Sequence, residues 1–149
     1  MHSVCLFLPV IVLISIASVA FAQNQEVTLF DKRGKALAYI ASDEDMTIYL
    51  WTGEPVAYLL HKGERYLILG FNGKHIGWYD DGFIVDHHGD VVGFSEGRLR
   101  MNTEMEPLKS LKQNKPFKAR IKEPQTKPGF TNTWAAVALS VFLNAGIEK

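Results

Sequence analysis

Between Asp80 and Asp90 the chain gathers two histidines and four carboxylates: Asp80, Asp81, Asp86, His87, His88 and Asp90. Imidazole and carboxylate are ligands for zinc and other divalent ions. A metal held there would suit a metal-assisted hydrolase. The spacing argues the other way. His87 and His88 are adjacent in a predicted turn, where neighbouring side chains diverge, and no HExxH or comparable spaced ligand set is present. Asp86, His87, His88 and Asp90 therefore read first as the polar tip of a hairpin, with metal binding as the second reading. No catalytic residue and no cofactor is assigned. His61 and His75 read as surface residues on strand or turn.

Other chemistry is weaker still. The chain has no nucleophile elbow, P-loop or dinucleotide fingerprint, and nothing in the spacing singles out Glu64 and Asp80 as a carboxylate pair. Asp43-Glu44-Asp45 lacks the alternating ligands and glycine of a calcium loop and reads as a connector. The aromatics are the remaining binding candidates. If exposed, Trp51, Tyr58, Trp78 and Tyr79 would stack on sugar rings or clamp a peptide. Their repeated positions favour core packing instead.

Those positions come from a short repeat: a glycine, two variable residues, an aliphatic residue, alanine or glycine, then an aromatic. The copies are Gly34-Lys-Ala-Leu-Ala-Tyr39, Gly53-Glu-Pro-Val-Ala-Tyr58, Gly73-Lys-His-Ile-Gly-Trp78 and Gly89-Asp-Val-Val-Gly-Phe94. Each glycine lies between two strand-like runs, so each copy predicts one hairpin. Asn72-Gly73 predicts a type I′ turn. Asp31 to Gly34 and Asp86 to Gly89 read as turns longer by two, which makes Phe30, Trp51, Phe71 and Val85 equivalent. On the returning strand the period of two puts Ala38, Ala57, Gly77 and Gly93 on one face. Tyr39, Tyr58, Trp78 and Phe94 take the other. Small residues kept in all copies imply a close backbone approach, to an adjacent hairpin or a central axis.

The hairpins Phe71-Asn-Gly-Lys-His-Ile-Gly-Trp78 and Asp86-His-His-Gly-Asp-Val-Val-Gly-Phe94 resemble those of the four-fold β-flower proteins, in which four hairpin petals surround a pseudo-fourfold axis. The resemblance spans Val27 to about Glu96. It extends to a basic, proline-bearing linker with Pro107-Leu-Lys and a closing segment with Thr131-Asn-Thr-Trp134. It implies a fold and no particular activity.

The fold expected is mainly β: four sequential hairpins with pseudo-fourfold symmetry over 23–106, an extended basic strap over 107–129, and an apolar C-terminal helix within 130–149. From Glu26 to Glu106 there are 14 acidic and 8 basic residues, whereas Pro107 to Lys127 holds 7 basic residues and only Glu123 acidic. A strap lying across an acidic hairpin domain follows, with an anionic-polymer or membrane site as the sharper alternative. Trp134 to Asn144 predicts a helix capped by Asn132 or Thr133 and stopped by a left-handed Gly146. Both its faces are apolar, so it packs into the core or, as a second reading, against a homodimer partner.

The first 22 residues carry no Asp, Glu, Lys or Arg, and Leu6 to Ile16 is an apolar core ending in Ala20-Phe21-Ala22. That pattern predicts a secretory signal cut after Ala22, hence a periplasmic or secreted protein with no membrane span after cleavage. An uncleaved anchor is the rival reading. The single cysteine, Cys5, lies in that segment, so the remainder has neither disulfide nor thiolate chemistry. Zero formal net charge argues against a nucleic-acid binder or a membrane-surface protein overall. What remains is an exported, non-catalytic binding or interaction module for a protein or glycan, with the hydrolase at the Asp86–Asp90 turn as the alternative.

Overall fold

The computed structural model describes residues 26–149. The signal segment expected over 1–22 lies outside the described residues. Eight strands follow one another: β1 (Val27–Phe30), β2 (Ala36–Ile40), β3 (Thr47–Leu50), β4 (Pro55–Lys62), β5 (Arg65–Gly70), β6 (His75–Asp80), β7 (Phe83–Val85) and β8 (Val91–Ser95). Each pairs antiparallel with its sequence neighbours, and β8 returns to β1, so the sheet closes into a barrel without an open edge. The four repeats are the hairpins β1–β2, β3–β4, β5–β6 and β7–β8.

All four hairpins turn in the same way. The amide of Asp31, Leu50, Gly70 or Asp86 donates to the carbonyl four residues on, and the glycine amide returns to the carbonyl of that same first residue. The loop is thus three residues in every copy. It closes on a left-handed glycine, with φ 80° at Gly34, 87° at Gly53, 79° at Gly73 and 90° at Gly89. This is the turn followed by a glycine bulge, not a type I′ turn, because Asn72 is not at positive φ. Type I′ geometry occurs at Asp81-Gly82 (φ 45° and 79°), which joins β6 to β7. The first and fourth turns are not longer than the others. The common loop length corrects the alignment: Lys32, Trp51, Phe71 and His87 are equivalent, while Phe30 and Val85 match Tyr49 and Leu69. A register jog falls just before each of these last four residues, at the same place in all copies.

The incoming strands contribute one layer of the core. Leu29, Ile48, Ile68 and Ile84 occupy equivalent positions, and all are fully buried. They meet Ala38, Ala57 and a short helix, α1 (Leu139–Asn144), whose Leu139, Phe142 and Leu143 are buried in the same cluster. The small residues of the repeat have their reason here. A side chain at Gly77 would overlap the Val85 carbonyl and the Phe142 ring, and one at Gly93 would crowd the Phe30 carbonyl and Leu139. Both the adjacent hairpin and the axial helix therefore require them small.

α1 is shorter than the Trp134–Asn144 span expected from the apolar pattern. Residues 133–135 are committed to a parallel bridge beside β8. The Val91 amide donates to the Thr133 carbonyl, and the Ala135 amide donates to the Val91 carbonyl. The cap position is Ala138, with no side-chain hydrogen bond, rather than Asn132 or Thr133. Gly146 does not adopt the left-handed conformation expected of it. Its value is space, since a Cβ there would overlap Gly70 and the Val56 carbonyl. Asn72 ties the same corner, its side-chain amide donating to the Ala145 and Glu148 carbonyls at 2.8 and 2.7 Å.

The strap circles the hairpin tips with a beat of nine residues. Glu104, Gln113, Lys122 and Thr131 donate their amides to the carbonyls of Gly34, Gly53, Gly73 and Gly89 in turn. Ser110 and Ala119 do the same to Trp51 and Phe71. A second face carries lysines at every third position. Lys109 and Lys112 meet Glu26 at 2.7 and 2.6 Å, Lys115 and Lys118 meet Asp45 at 2.9 and 2.5 Å, and Lys127 meets Asp80. A three-residue period is the geometry of an extended, polyproline-II-like ribbon. These ion pairs are half-exposed, so each contributes no more than about 1 kcal/mol. The backbone bonds and the cation–ring contacts do more to fix the path. Lys109 lies 4.3 Å above the Tyr39 ring, and Lys118 lies 4.3 Å above Tyr58.

Candidate functional site

Equivalent positions in the four hairpins show where one copy departs from the others. In the second, third and fourth hairpins the first loop residue places a ring against the aromatic of the preceding hairpin, whereas the first has Lys32 there. Trp51 meets Tyr39 edge-on at 5.6 Å, and Phe71 meets Tyr58 at 5.5 Å. In the fourth hairpin that residue is His87, which meets Trp78 edge-on at 5.4 Å. The residue opening the returning strand is Ala36, Pro55 or Val91 in three copies and His75 in the third. An imidazole therefore stands where Lys32, Trp51 and Phe71 stand in the other copies, a second stands beside it in an otherwise apolar position, and the two rings touch. His87 Nε2 lies 3.2 Å from His75 Nδ1.

His75 is buried, at 8% exposure, where a surface residue was expected. Its position packs beneath the loop in every copy, so burial follows from the repeat rather than from residue type. The Gln125 amide points at His75 Nδ1 from 3.4 Å, which makes that nitrogen an acceptor and leaves the proton on Nε2. His75 Nε2 is buried and makes no hydrogen bond of ordinary geometry among the described residues. Burial, reinforced by His87 and only partly offset by the Gly77 carbonyl, pushes the His75 pKa down to about 4. Burial also lowers that of His87, against the pull of Asp86. Both rings are neutral at physiological pH.

The pair lines a cleft of about 570 Å³ between the third and fourth hairpins, the strap and α1. Its apolar wall is Val137, Val141, Phe142 and Ala145, and its rim carries Lys74, Lys122, Glu123 and Glu148. A few polar groups set in an apolar concavity of this size are the usual form of a small-molecule site.

The four turn residues do not converge. The Asp86 carboxylate accepts the amides of His88 and Asp90 at 2.8 and 3.0 Å, shaping its own loop. Asp90 is held by the hydroxyls of Thr131 and Thr133 at 2.5 and 2.6 Å. His88 is exposed. Among the described residues no group of three or more His, Cys, Asp or Glu is arranged to hold a metal ion. The aromatic candidates are mostly interior: Trp51, Tyr58 and Trp78 are buried, with Trp51 Nε1 donating to the Pro107 carbonyl at 2.8 Å. Tyr79 is half-buried, its hydroxyl 3.5 Å from Ser95 Oγ. His75, which the sequence reading set aside, was detectable as the one polar residue among Ala36, Pro55 and Val91.

The fold defined by these contacts is a ring of four equivalent hairpins, strapped outside and plugged by a helix. The chain belongs to the 4-fold beta flower protein family, whose model matches residues 27–143. No match was found among curated proteins or among solved structures. Among the described residues no helix is long and apolar enough to cross a membrane.

The low pKa of His75 has a measurable consequence. Its unfolded imidazole titrates near 6.5, so between about 4 and 6.5 the unfolded chain binds more protons than the folded one. The contribution is complete above pH 6.5, falls as pH drops towards 4 and is constant below. It amounts to roughly 3 kcal/mol. In urea unfolding, His75→Val, the residue that β8 carries at this position, is expected to lose that slope between pH 6.5 and 4. Parallel curves for the two proteins would show that His75 is not held neutral.

Proposed function

We propose that this chain is an exported, non-catalytic binding module whose ligand occupies the His75–His87 cleft. The observation that carries the reading is the pair of touching, neutral imidazoles beside an apolar wall of α1. Such a surface suits a small amphiphilic molecule: a ring or short hydrocarbon body against Val137, Val141 and Phe142, and a hydroxyl, carbonyl or ring nitrogen at the imidazoles. Support for export comes from the uncharged first 22 residues. The hydrolase reading gains nothing from the turn, because Asp86 and Asp90 already serve the loop and the strap.

A thermal-shift screen of the full chain against small phenols, heterocycles and short-chain acids tests the proposal, with His87→Ala alongside. A ligand that binds only the folded protein stabilises it by about 2.7 kcal/mol at a hundredfold excess over its dissociation constant. Hits lost in His87→Ala are the expected result. Hits that survive unchanged in the variant would place binding elsewhere.

A further inference from the structure

Over 105–117 the third face of the strap has no partner among the described residues. Its bonded face falls at 104, 110, 113, 119, 122 and 131, and its lysine face at 109, 112, 115, 118 and 127. From 105 to 117 the remaining positions of the same three-residue period hold Met105, Leu108, Leu111, Asn114 and Phe117, and the four apolar ones are 94, 98, 91 and 102% exposed. Four large apolar side chains within five successive positions of one ribbon face, interrupted only by Asn114, are an interaction surface, not scattered surface residues. The ridge runs outside the first three hairpins, away from the cleft, and carries its own argument.

We infer that this ridge rests on a lipid bilayer. Three features select that occupant. The ridge is single-file, one exposed side chain every third residue, and offers no groove to a peptide. Its flanking Lys109, Lys112, Lys115 and Lys118 are already paired with Glu26, Asp43 and Asp45, so no attraction to anionic headgroups is needed. Lastly, Glu26, where the described chain begins, is clamped by Lys109 and Lys112, the residues that follow and flank Leu108 and Leu111. The uncharged stretch that ends at Ala22 is four residues away, at most about 14 Å of extended chain. On the rival reading of that stretch, an uncleaved anchor, the bilayer that holds it lies within reach of the ridge. Attachment through the ridge is then apolar and insensitive to salt, unlike that of a polybasic surface.

The test uses the full-length chain in phosphatidylcholine vesicles, with Cys5→Ser removing its only cysteine. Spin labels are placed singly at Leu108→Cys, Phe117→Cys and, on the fourth hairpin opposite the ridge, His88→Cys. All three side chains are exposed, so the fold tolerates them. Labels at 108 and 117 are expected to collide several-fold more with oxygen, and several-fold less with a water-soluble nickel chelate, than the label at 88. The contrast should persist in high salt and without anionic lipid. Equal chelate access at all three sites would overturn the inference. So would shielding that appears in detergent and grows with protein concentration, which would assign the ridge to a second copy of the chain. Recovery of a chain beginning at Gln23 in the aqueous fraction, with both ridge labels open to the chelate, would also overturn it.

Discussion

Gly73→Val is expected to destabilise the protein by about 4 kcal/mol or more, an effect reserved for a few mechanisms. Two of them coincide. The residue sits at φ 79°, where a β-branched side chain is strained by roughly 2 kcal/mol. Its Cβ would also overlap the Arg120 carbonyl of the strap, next to the Lys122 amide that bonds Gly73. Gly63 provides the control. It has nearly the same conformation, φ 67°, and nothing within 4 Å of a Cβ. Gly63→Val should therefore show the strain alone, about 2 kcal/mol. The difference between the two urea midpoints measures what the strap contributes at one tip. Equal losses would mean that the strap is not held against the hairpins.

Leu143→Ala is expected to cost about 3–5 kcal/mol, as truncation of a fully buried leucine usually does. Its neighbour Val141 lies on the same helix but is 58% exposed, so Val141→Ala should change stability by about 0.5 kcal/mol or less. The pair separates packing inside the barrel from helix formation as such. α1 has six residues and no side-chain cap, too few to be stable by itself. It is helical because Leu139, Phe142 and Leu143 fill the end of the barrel beside Gly77 and Gly93. A barrel that melts at the same urea concentration after Leu143→Ala would assign that apolar face to a partner instead.

The hairpins, their number and their fourfold order were legible in the sequence, because a left-handed glycine and an alternating strand leave marks at fixed spacing. The finer register was not. Matching Phe30 and Val85 to Trp51 and Phe71 took the first and fourth turns to be longer by two, whereas loop length is set by backbone bonds that no residue type announces. That misalignment concealed the site. With the loops matched, His87 falls where Trp51 and Phe71 stack, and His75 where Ala36, Pro55 and Val91 pack. His75 then stands out as the one polar residue at its position, next to His87 in a position that holds a ring in two other copies.

The strap held a second unread pattern. Pro107-Leu-Lys109 and Pro116-Phe-Lys118 repeat at nine residues, which is the interval between successive tip bonds. Its composition had drawn attention to charge rather than to period. The helix was over-extended for the opposite reason. Trp134 to Ala138 has the right apolar pattern, but residues 133–135 are bonded to Val91, a long-range competitor that local sequence does not disclose.

The central claim is that the His75–His87 cleft is where this protein binds. It is tested most directly by following the imidazole ring signals of His75 and His87, with the methyl signals of Val137 and Val141, by NMR at pH 7 during addition of each ligand found by thermal shift. The account predicts that these four residues shift together and saturate at one concentration, while the methyl of Met105 on the far ridge stays still. Saturable shifts confined to residues outside the cleft, with both imidazoles unmoved, would contradict it.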